Sequence, residues 1–146
     1  MGIVKAVCIS EKKGTRKYEV PCIDVLINHG IVGDAHAGSW HRQISLLGNE
    51  SIDKIRNEGL TLTPGSFAEN IVTEGIDLKS IPIGTRIMIG NTILEVTQIG
   101  KECHNDCEIK RIAGKCVMPS EGIFAIVIKD GKIFPGDKID IMENEA

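Results

Sequence analysis

The sequence has no surplus of positive charge, no long apolar run, no internal repeat and few aromatic residues. Lysine and arginine number 17 against 20 aspartate and glutamate, a formal net charge of −3. That leaves no electrostatic footprint for nucleic acid and no polybasic run for an anionic membrane. The apolar stretches are too short to span a bilayer, and the N-terminus, MGIVKAVCISEKKG, lacks the apolar core of a signal peptide. The expectation is a cytoplasmic protein without nucleic-acid or membrane partners. No linker or composition break divides the 146 residues, so a single domain over 1–146 is expected, with a frayed tail at 143–146. Because aromatics make up only 3% of the chain, Phe67, Phe124 and Phe134 are each assigned to the core.

What is present is a pattern of short strands and turns. IVKAVCIS alternates and is rich in β-branched residues, EKKGTRK is a charged turn, and YEVPCIDVLINHG is a second strand region, together suggesting a hairpin. A glycine-dense stretch, GIVGDAHAGSWHRQ, precedes the strand QISLL. NESIDKIRNEG is the best helix signal, with Asn49 to cap its start, Ile52 and Ile55 on one face and Gly59 to end it. LTLTPGSFAENIVTEG joins a strand to a loop and a further strand. RIMIG and TILEVTQI form a hairpin about Gly90-Asn91. GIFAIVIKDGKIFPGDKIDIM supplies a strand, a DG turn, a short strand, a PGD turn and a last strand. Many short strands with one or two short helices argue for a closed or nearly closed β-barrel, a mainly β fold.

The five cysteines are better taken as thiols or ligands than as disulfides in a chain without a signal peptide. Cys8 and Cys22, in AVCIS and VPCIDVLI, suit small buried hydrophobes. The others stand together in GKECHNDCEIKRIAGKCVMPSEG, directly after the strand ILEVTQIG. Cys103, Cys107, Cys116 and His104 can make a Cys3His zinc site, or less readily an iron–sulfur site, although His104 adjoins Cys103 and no second tight ligand pair exists. Alternatively they are reactive or ligating thiolates. Lys101, His104, Lys110, Arg111 and Lys115 surround them with groups that favour thiolate, and neighbouring cysteines allow a persulfide on one to be resolved by another. Three cysteines in so polar a stretch are not mere small loop residues.

GIVGDAHAG, HRQISLL, PGSFAENIVTEGIDL, IPIGTRIMIGNTILEVTQIGKECH and CVMPSEGIFAIVIKDGKIFPGDKI match in order, and the chain resembles the MOSC domain family, named for the C-terminal domain of molybdenum-cofactor sulfurase, in its small stand-alone bacterial type. The resemblance implies a β-barrel-like fold and handling of the molybdenum–pterin cofactor (molybdopterin). It implies that Cys103, after ILEVTQIG, is the molybdenum ligand. Cys103, Cys107 and Cys116 are then the catalytic candidates, in sulfur carriage during cofactor maturation or transfer, with a cysteine desulfurase or a molybdoenzyme as partner. The alternatives are a reductase of N-hydroxylated compounds and a non-catalytic Cys3His module with zinc. The chain is too short to hold the pyridoxal-phosphate-dependent domain of a full sulfurase, and it lacks the extra β-domain of the mitochondrial amidoxime-reducing component.

Such a cofactor carries a phosphate and a ring with many hydrogen-bonding edges. Glycine-rich turns around Gly33 and Gly38 and the guanidinium of Arg42 suit the phosphate. Asp34 and His36, two apart, point the same way if the backbone is extended; the alternative is an Asx-type turn with a solvated histidine. On the resemblance, Asp34, His36, Arg42, Glu69, Asn70 and Lys101 are expected to line the cofactor site, and His41 and His29 are weaker candidates. Glu69, Asn70 and Glu121 suit loop-holding hydrogen bonds equally well, and Trp40 either covers the site or packs half-buried.

Overall fold

A computed structural model describes residues 2–13, 15–56, 63–100 and 122–142. Eleven strands are present among them: β1 (Gly2–Ile9), β2 (Tyr18–Val20), β3 (Ile23–Leu26), β4 (Gly30–Ile31), β5 (Ile44–Gly48), β6 (Ile71–Glu74), β7 (Arg86–Ile89), β8 (Thr92–Ile99), β9 (Ile123–Lys129), β10 (Gly131–Ile133) and β11 (Lys138–Ile141). One α-helix, α1 (Asn49–Arg56), and a 3-10 turn at Leu78–Ser80 complete the described elements.

Seven strands close a barrel in the order β11-β7-β8-β9-β5-β6-β1, sealed by pairing of β1 with β11 at Gly2↔Ile139 and Ile3↔Lys138. β1 serves two neighbours along one side: its first residues pair β11, and Val7–Ile9 pair β2; its pairing with β6 on the other side shifts register between Val4 and Ala6. Such a bulge bends the strand and lets it leave one partner for another. β5 and β6 run parallel, in register Leu46↔Ile71. A parallel pair needs a long crossover, and α1 lies on this one. β10, β3 and β4 form a second, three-stranded sheet.

Alternation drives the barrel. In β8, Thr92, Leu94 and Val96 are buried while the residues between them are half-exposed. Ile44, Leu46, Ile71, Ile87, Leu94, Ile123 and Ile139 meet in one apolar core that Ile23, Val25 and Ile133 of the small sheet also join. Burying each such side chain contributes roughly 1.5–3 kcal/mol before the cost of ordering the chain. β5 is buried along its whole length, so both its faces are covered.

The expected hairpins hold at β1–β2 and at β7–β8, where Gly90 has φ +56 at the first loop position, as a type II′ turn requires. Three expectations are corrected. The second strand region is not continuous: it breaks at Pro21-Cys22 into β2 and β3, which belong to different sheets, and Cys22 is only half-buried. Asp130-Gly131 does not close a hairpin, because β10 pairs β3 and not β9; the Asp130 carboxylate instead accepts the Ile27 N–H at 2.6 Å. Phe134 is likewise not core but 46% exposed, since it opens the Pro135-Gly136 turn, whose Asp137 carboxylate accepts the Phe134 N–H at 2.8 Å. Phe67 and Phe124 are buried as expected. Asn49 is the first residue of α1, and its side-chain amide reaches Glu74 (3.5 Å). Ile52 is buried, whereas Gly59 lies outside the described residues.

Candidate functional site

The C-terminal end of β1 lies beside the N-terminal ends of β6 and β5, and β8 ends beside the start of β9. Here the chain leaves the described part of the barrel at Gly100 and re-enters at Gly122, and the Gly100 N–H donates to the Gly122 carbonyl at 2.7 Å. Cys103, Cys107, Cys116, Lys101, His104 and Glu121 lie outside the described residues, between those two points in the sequence.

The loop after β4 supplies the first group of polar residues. Asp34 is buried, and its Oδ1 accepts the Ser10 N–H (3.0 Å) and Lys17 Nζ (2.7 Å), while Oδ2 accepts the His36 N–H (3.0 Å). Lys17 is fully buried with it; Nζ also donates to Ser10 Oγ (3.0 Å) and lies 3.1 Å from His36 Nδ1. Burial alone would raise the Asp34 carboxyl, but the contact with His36, the Lys17 hydrogen bond and charge, and the Ser10 N–H outweigh it and hold the group below the usual carboxylate range. Burial also pushes the Lys17 ammonium down, and the Asp34 bond and charge offset part of that. Lys17 was not singled out by sequence reasoning. It stands in the charged run KKGTRK, where a solvated lysine is the default, and only its inward position between exposed Arg16 and exposed Tyr18 marks it.

The segment PGSFAEN builds the wall behind Lys17. Gly65 has φ +91 and its Cα faces the Lys17 peptide so closely that a Cβ would stand 2.2 Å from the Lys17 carbonyl oxygen. The approach is sealed by Lys17 N–H donating to the Gly65 carbonyl (2.8 Å). Asn70 fastens two strands: its Oδ1 accepts the Ser45 N–H (3.0 Å) and its Nδ2 donates to the Cys8 carbonyl (3.0 Å). Glu69 Oε1 accepts the Phe67 N–H (3.0 Å), whereas Oε2 is buried without a hydrogen-bond partner among the described residues. Burial pushes the Glu69 carboxyl up to about 7, against the pull of backbone N–H groups and the Lys17 charge. Burial, and then the Glu69 charge, push the Cys8 thiol up as well, so it packs as a neutral thiol.

Trp40 links this wall to the barrel end. Its Nε1 donates to the His36 carbonyl (2.7 Å), and its ring lies parallel to the His36 ring with centroids 6.3 Å apart. The Arg42 guanidinium lies 4.8 Å from the Trp40 ring centre and 5.6 Å from that of Phe124, with Lys13 Nζ 4.7 Å from Trp40. Such cation–aromatic contacts are worth about 0.5–1 kcal/mol each at exposed sites. Arg42 Nε is buried and has no acceptor among the described residues. His41 reaches β8, where its Nε2 meets Gln98 Oε1 at 2.9 Å and its carbonyl accepts the Thr97 hydroxyl; Gln98 Nε2 in turn donates to the Gly100 carbonyl (2.7 Å).

The structure therefore brings Asp34, His36 and Arg42 together around Trp40, beside the roots of the cysteine segment. Glu69 and Asn70 sit deeper, in the wall. His29 contributes through its backbone, its carbonyl accepting the Gly38 N–H. The cations near Trp40 are Lys13 and Arg42, while Lys17 is paired with Asp34. Clefts of about 360 Å3 and 590 Å3 lie elsewhere, around Ile76 and Asp77, and neither is lined by a histidine, cysteine or arginine. Among the described residues no group of three or more His, Cys, Asp or Glu side chains is placed to hold a metal, and no helix is long and apolar enough to cross a membrane.

A seven-stranded barrel with a satellite three-stranded sheet defines a small, mainly β domain. Residues 33–140 match the family profile of the MOSC domain, and the chain belongs to that family. Among solved structures, it is similar to the YuaD protein from Bacillus subtilis, at 21% identity over 99% of this chain and 98% of that one, with a TM-score of 0.80. It is also similar to YiiM from Geobacillus stearothermophilus (18% identity, 98% and 76% coverage, TM-score 0.74) and YiiM from Escherichia coli (16%, 99% and 71%, TM-score 0.68). At these identities the likeness is one of fold. No curated protein sequence matches the chain.

Proposed function

We propose that this MOSC domain binds the molybdenum–pterin cofactor where Arg42 lies against Trp40 and Phe124, a region that His41 ties through Gln98 to Gly100, and acts in cofactor maturation or transfer with Cys103 as molybdenum ligand or sulfur-carrying thiolate. The observation that carries this reading is Arg42. Its guanidinium is held between two aromatic rings with a buried Nε that lacks an acceptor among the described residues. A buried donor left unpaired costs about 1–3 kcal/mol, and an anionic oxygen is the acceptor a guanidinium takes best. The residues fit the phosphate end of such a cofactor on that ground. When bound, the group supplies a redox-active metal held by sulfur.

The chain's own residues bind and orient. Arg42 and Lys13 draw an anion to the rim, and His36, held by Asp34, Lys17 and Trp40, presents a fixed ring beside it. In sequence Cys103 follows Gly100 after Lys101 and Glu102. A cysteine so close to an anchored strand end is well suited to hold a soft metal as thiolate, aided by Lys101 and His104. Cys107 and Cys116 are suited to resolve or shield that sulfur.

The test is metal, pterin and sulfane-sulfur analysis of protein purified without air from a host that makes the cofactor. Wild type is expected to carry molybdenum and pterin, and Cys103→Ser to lose molybdenum or persulfide while melting as wild type does. Stoichiometric zinc without pterin, lost together with stability in all three cysteine variants, refutes the reading in favour of a Cys3His module. Loss of molybdenum from Cys116→Ser with retention by Cys103→Ser moves the role to Cys116.

A further inference from the structure

The buried lysine cannot touch a ligand itself, since its side chain has no exposed surface. Its ammonium has three protons and meets three acceptors: Asp34 Oδ1 at 2.7 Å, Ser10 Oγ at 3.0 Å and His36 Nδ1 at 3.1 Å. Ser10 Oγ spends its own proton on the Lys12 carbonyl (3.0 Å), so it receives from Lys17. An ammonium has three donors and no lone pair. The ring nitrogen facing it must then be the acceptor, which leaves the single N–H of His36 on Nε2. The competing arrangement, with Nδ1 donating to Asp34, is disfavoured by distance: Nδ1 stands 3.7 Å from Asp34 Oδ2, beyond hydrogen-bond reach.

We propose that Lys17 is a positioning residue that fixes His36 in the Nε2–H tautomer, so that His36 meets the ligand of this site as a hydrogen-bond donor to an anionic or carbonyl oxygen or a ring nitrogen, and not as a metal ligand. The proposal rests on the reading of this barrel end as the ligand site. The surroundings leave the ring no second choice of pose. The His36 N–H is held by Asp34 Oδ2, its carbonyl by Trp40 Nε1, and its plane lies parallel to the indole at 5°. Among the described residues nothing takes Nε2. A neutral imidazole with a proton on Nε2 has no lone pair there, so a metal could be ligated only after the ring gave up the Lys17 bond. The same geometry accounts for a buried charged pair in a small barrel. Asp34 fixes Lys17 and the His36 backbone, Lys17 fixes the His36 ring, and the close Gly65 contact fixes the Lys17 backbone.

The experiment is nitrogen-15 NMR of the imidazole rings in the full chain at neutral pH, with proton couplings assigning Nδ1 and Nε2 of His36. It needs no cofactor, so it can fail while cofactor binding stands, or succeed while cofactor analysis fails. Wild type is expected to show His36 as one tautomer, protonated on Nε2. Lys17→Met alone strands the Asp34 charge and can unfold the chain, so the paired variant Lys17→Met with Asp34→Asn is measured beside it. There His36 is expected to become a mixture of tautomers while the folded amide spectrum persists. A wild-type ring protonated on Nδ1 overturns the proposal, because such a ring cannot accept from the Lys17 ammonium. An unchanged single Nε2–H tautomer in the folded paired variant also overturns it, because something other than Lys17 then sets the ring.

Discussion

Glu69 gives the sharpest stability test. It is wholly buried, one carboxyl oxygen accepts the Phe67 N–H, and the other has no partner among the described residues. Burial raises its folded-state pKa from the ordinary 4.5 to about 7. The sign follows from proton binding. Between those two values the native chain holds a proton that the unfolded chain has released, so the group's stabilising contribution is complete below pH 4.5 and is lost as pH rises through 7. At about 1.4 kcal/mol for each pH step, the loss is on the order of 3 kcal/mol. Glu69→Gln keeps an oxygen for the Phe67 N–H and cannot ionise. Urea unfolding from pH 5 to pH 9 should find the two proteins within about 1 kcal/mol at the acid end, with the glutamine variant the more stable by up to about 3 kcal/mol above pH 8. Parallel pH profiles for the two proteins refute the reasoning, and would mean that Glu69 is ionised and compensated in the native state.

Asp34→Asn should cost about 3–5 kcal/mol, because it leaves the Lys17 charge buried without its partner. The paired variant with Lys17→Met should cost less than that single change, as chemical denaturation of all three proteins will show. The folded-state pKa of Asp34 is depressed, so its stabilisation is present above the unfolded carboxylate value and is lost as pH falls toward the folded one; Asp34→Asn should lack that part of the acid unfolding. Gly65→Ala places a methyl 2.2 Å from the Lys17 carbonyl at φ +91 and should lower stability by about 2 kcal/mol or more, visible as a drop in Tm. Arg42→Ala should strip pterin from anaerobically purified protein more than His29→Ala does, with both melting near wild type; equal pterin retention removes Arg42 from the site.

How much of this was legible depended on whether the signal was periodic or three-dimensional. The barrel follows from alternation in β8 and from turn pairs such as Gly90-Asn91, both of which act within a few residues. The sheet change at Asp130 was not legible, because an Asp-Gly pair between two strands has the same local chemistry whether the chain folds back or crosses to another sheet. The outcome is decided by Asp130 reaching Ile27, a contact made far along the chain. The rim residues divide in the same way. Asp34 and His36 announced themselves as polar residues among glycines. Lys17 did not, because a lysine in a charged run is solvated unless something excludes water, and here the chain packs against it at Gly65, forty-eight positions on.

That dependence has a consequence for how the site is held. Most polar groups here are fixed by a partner from a different segment: Asp34 by Ser10 just past β1, Lys17 by Gly65 and His41 by Thr97 on β8, whereas His36 is held by Trp40 of its own loop. These are hydrogen bonds of the kind worth about 0.5–1.5 kcal/mol each, and none by itself decides the fold, which the apolar core supplies. Removing the rim network should therefore disorganise the site before it unfolds the barrel, except where it strands a charge. Asp34 and Lys17 are that exception. They are the point at which stability and ligand geometry share the same atoms, so a substitution there changes both, whereas Arg42, whose buried Nε has no acceptor among the described residues, is free to change ligand binding alone.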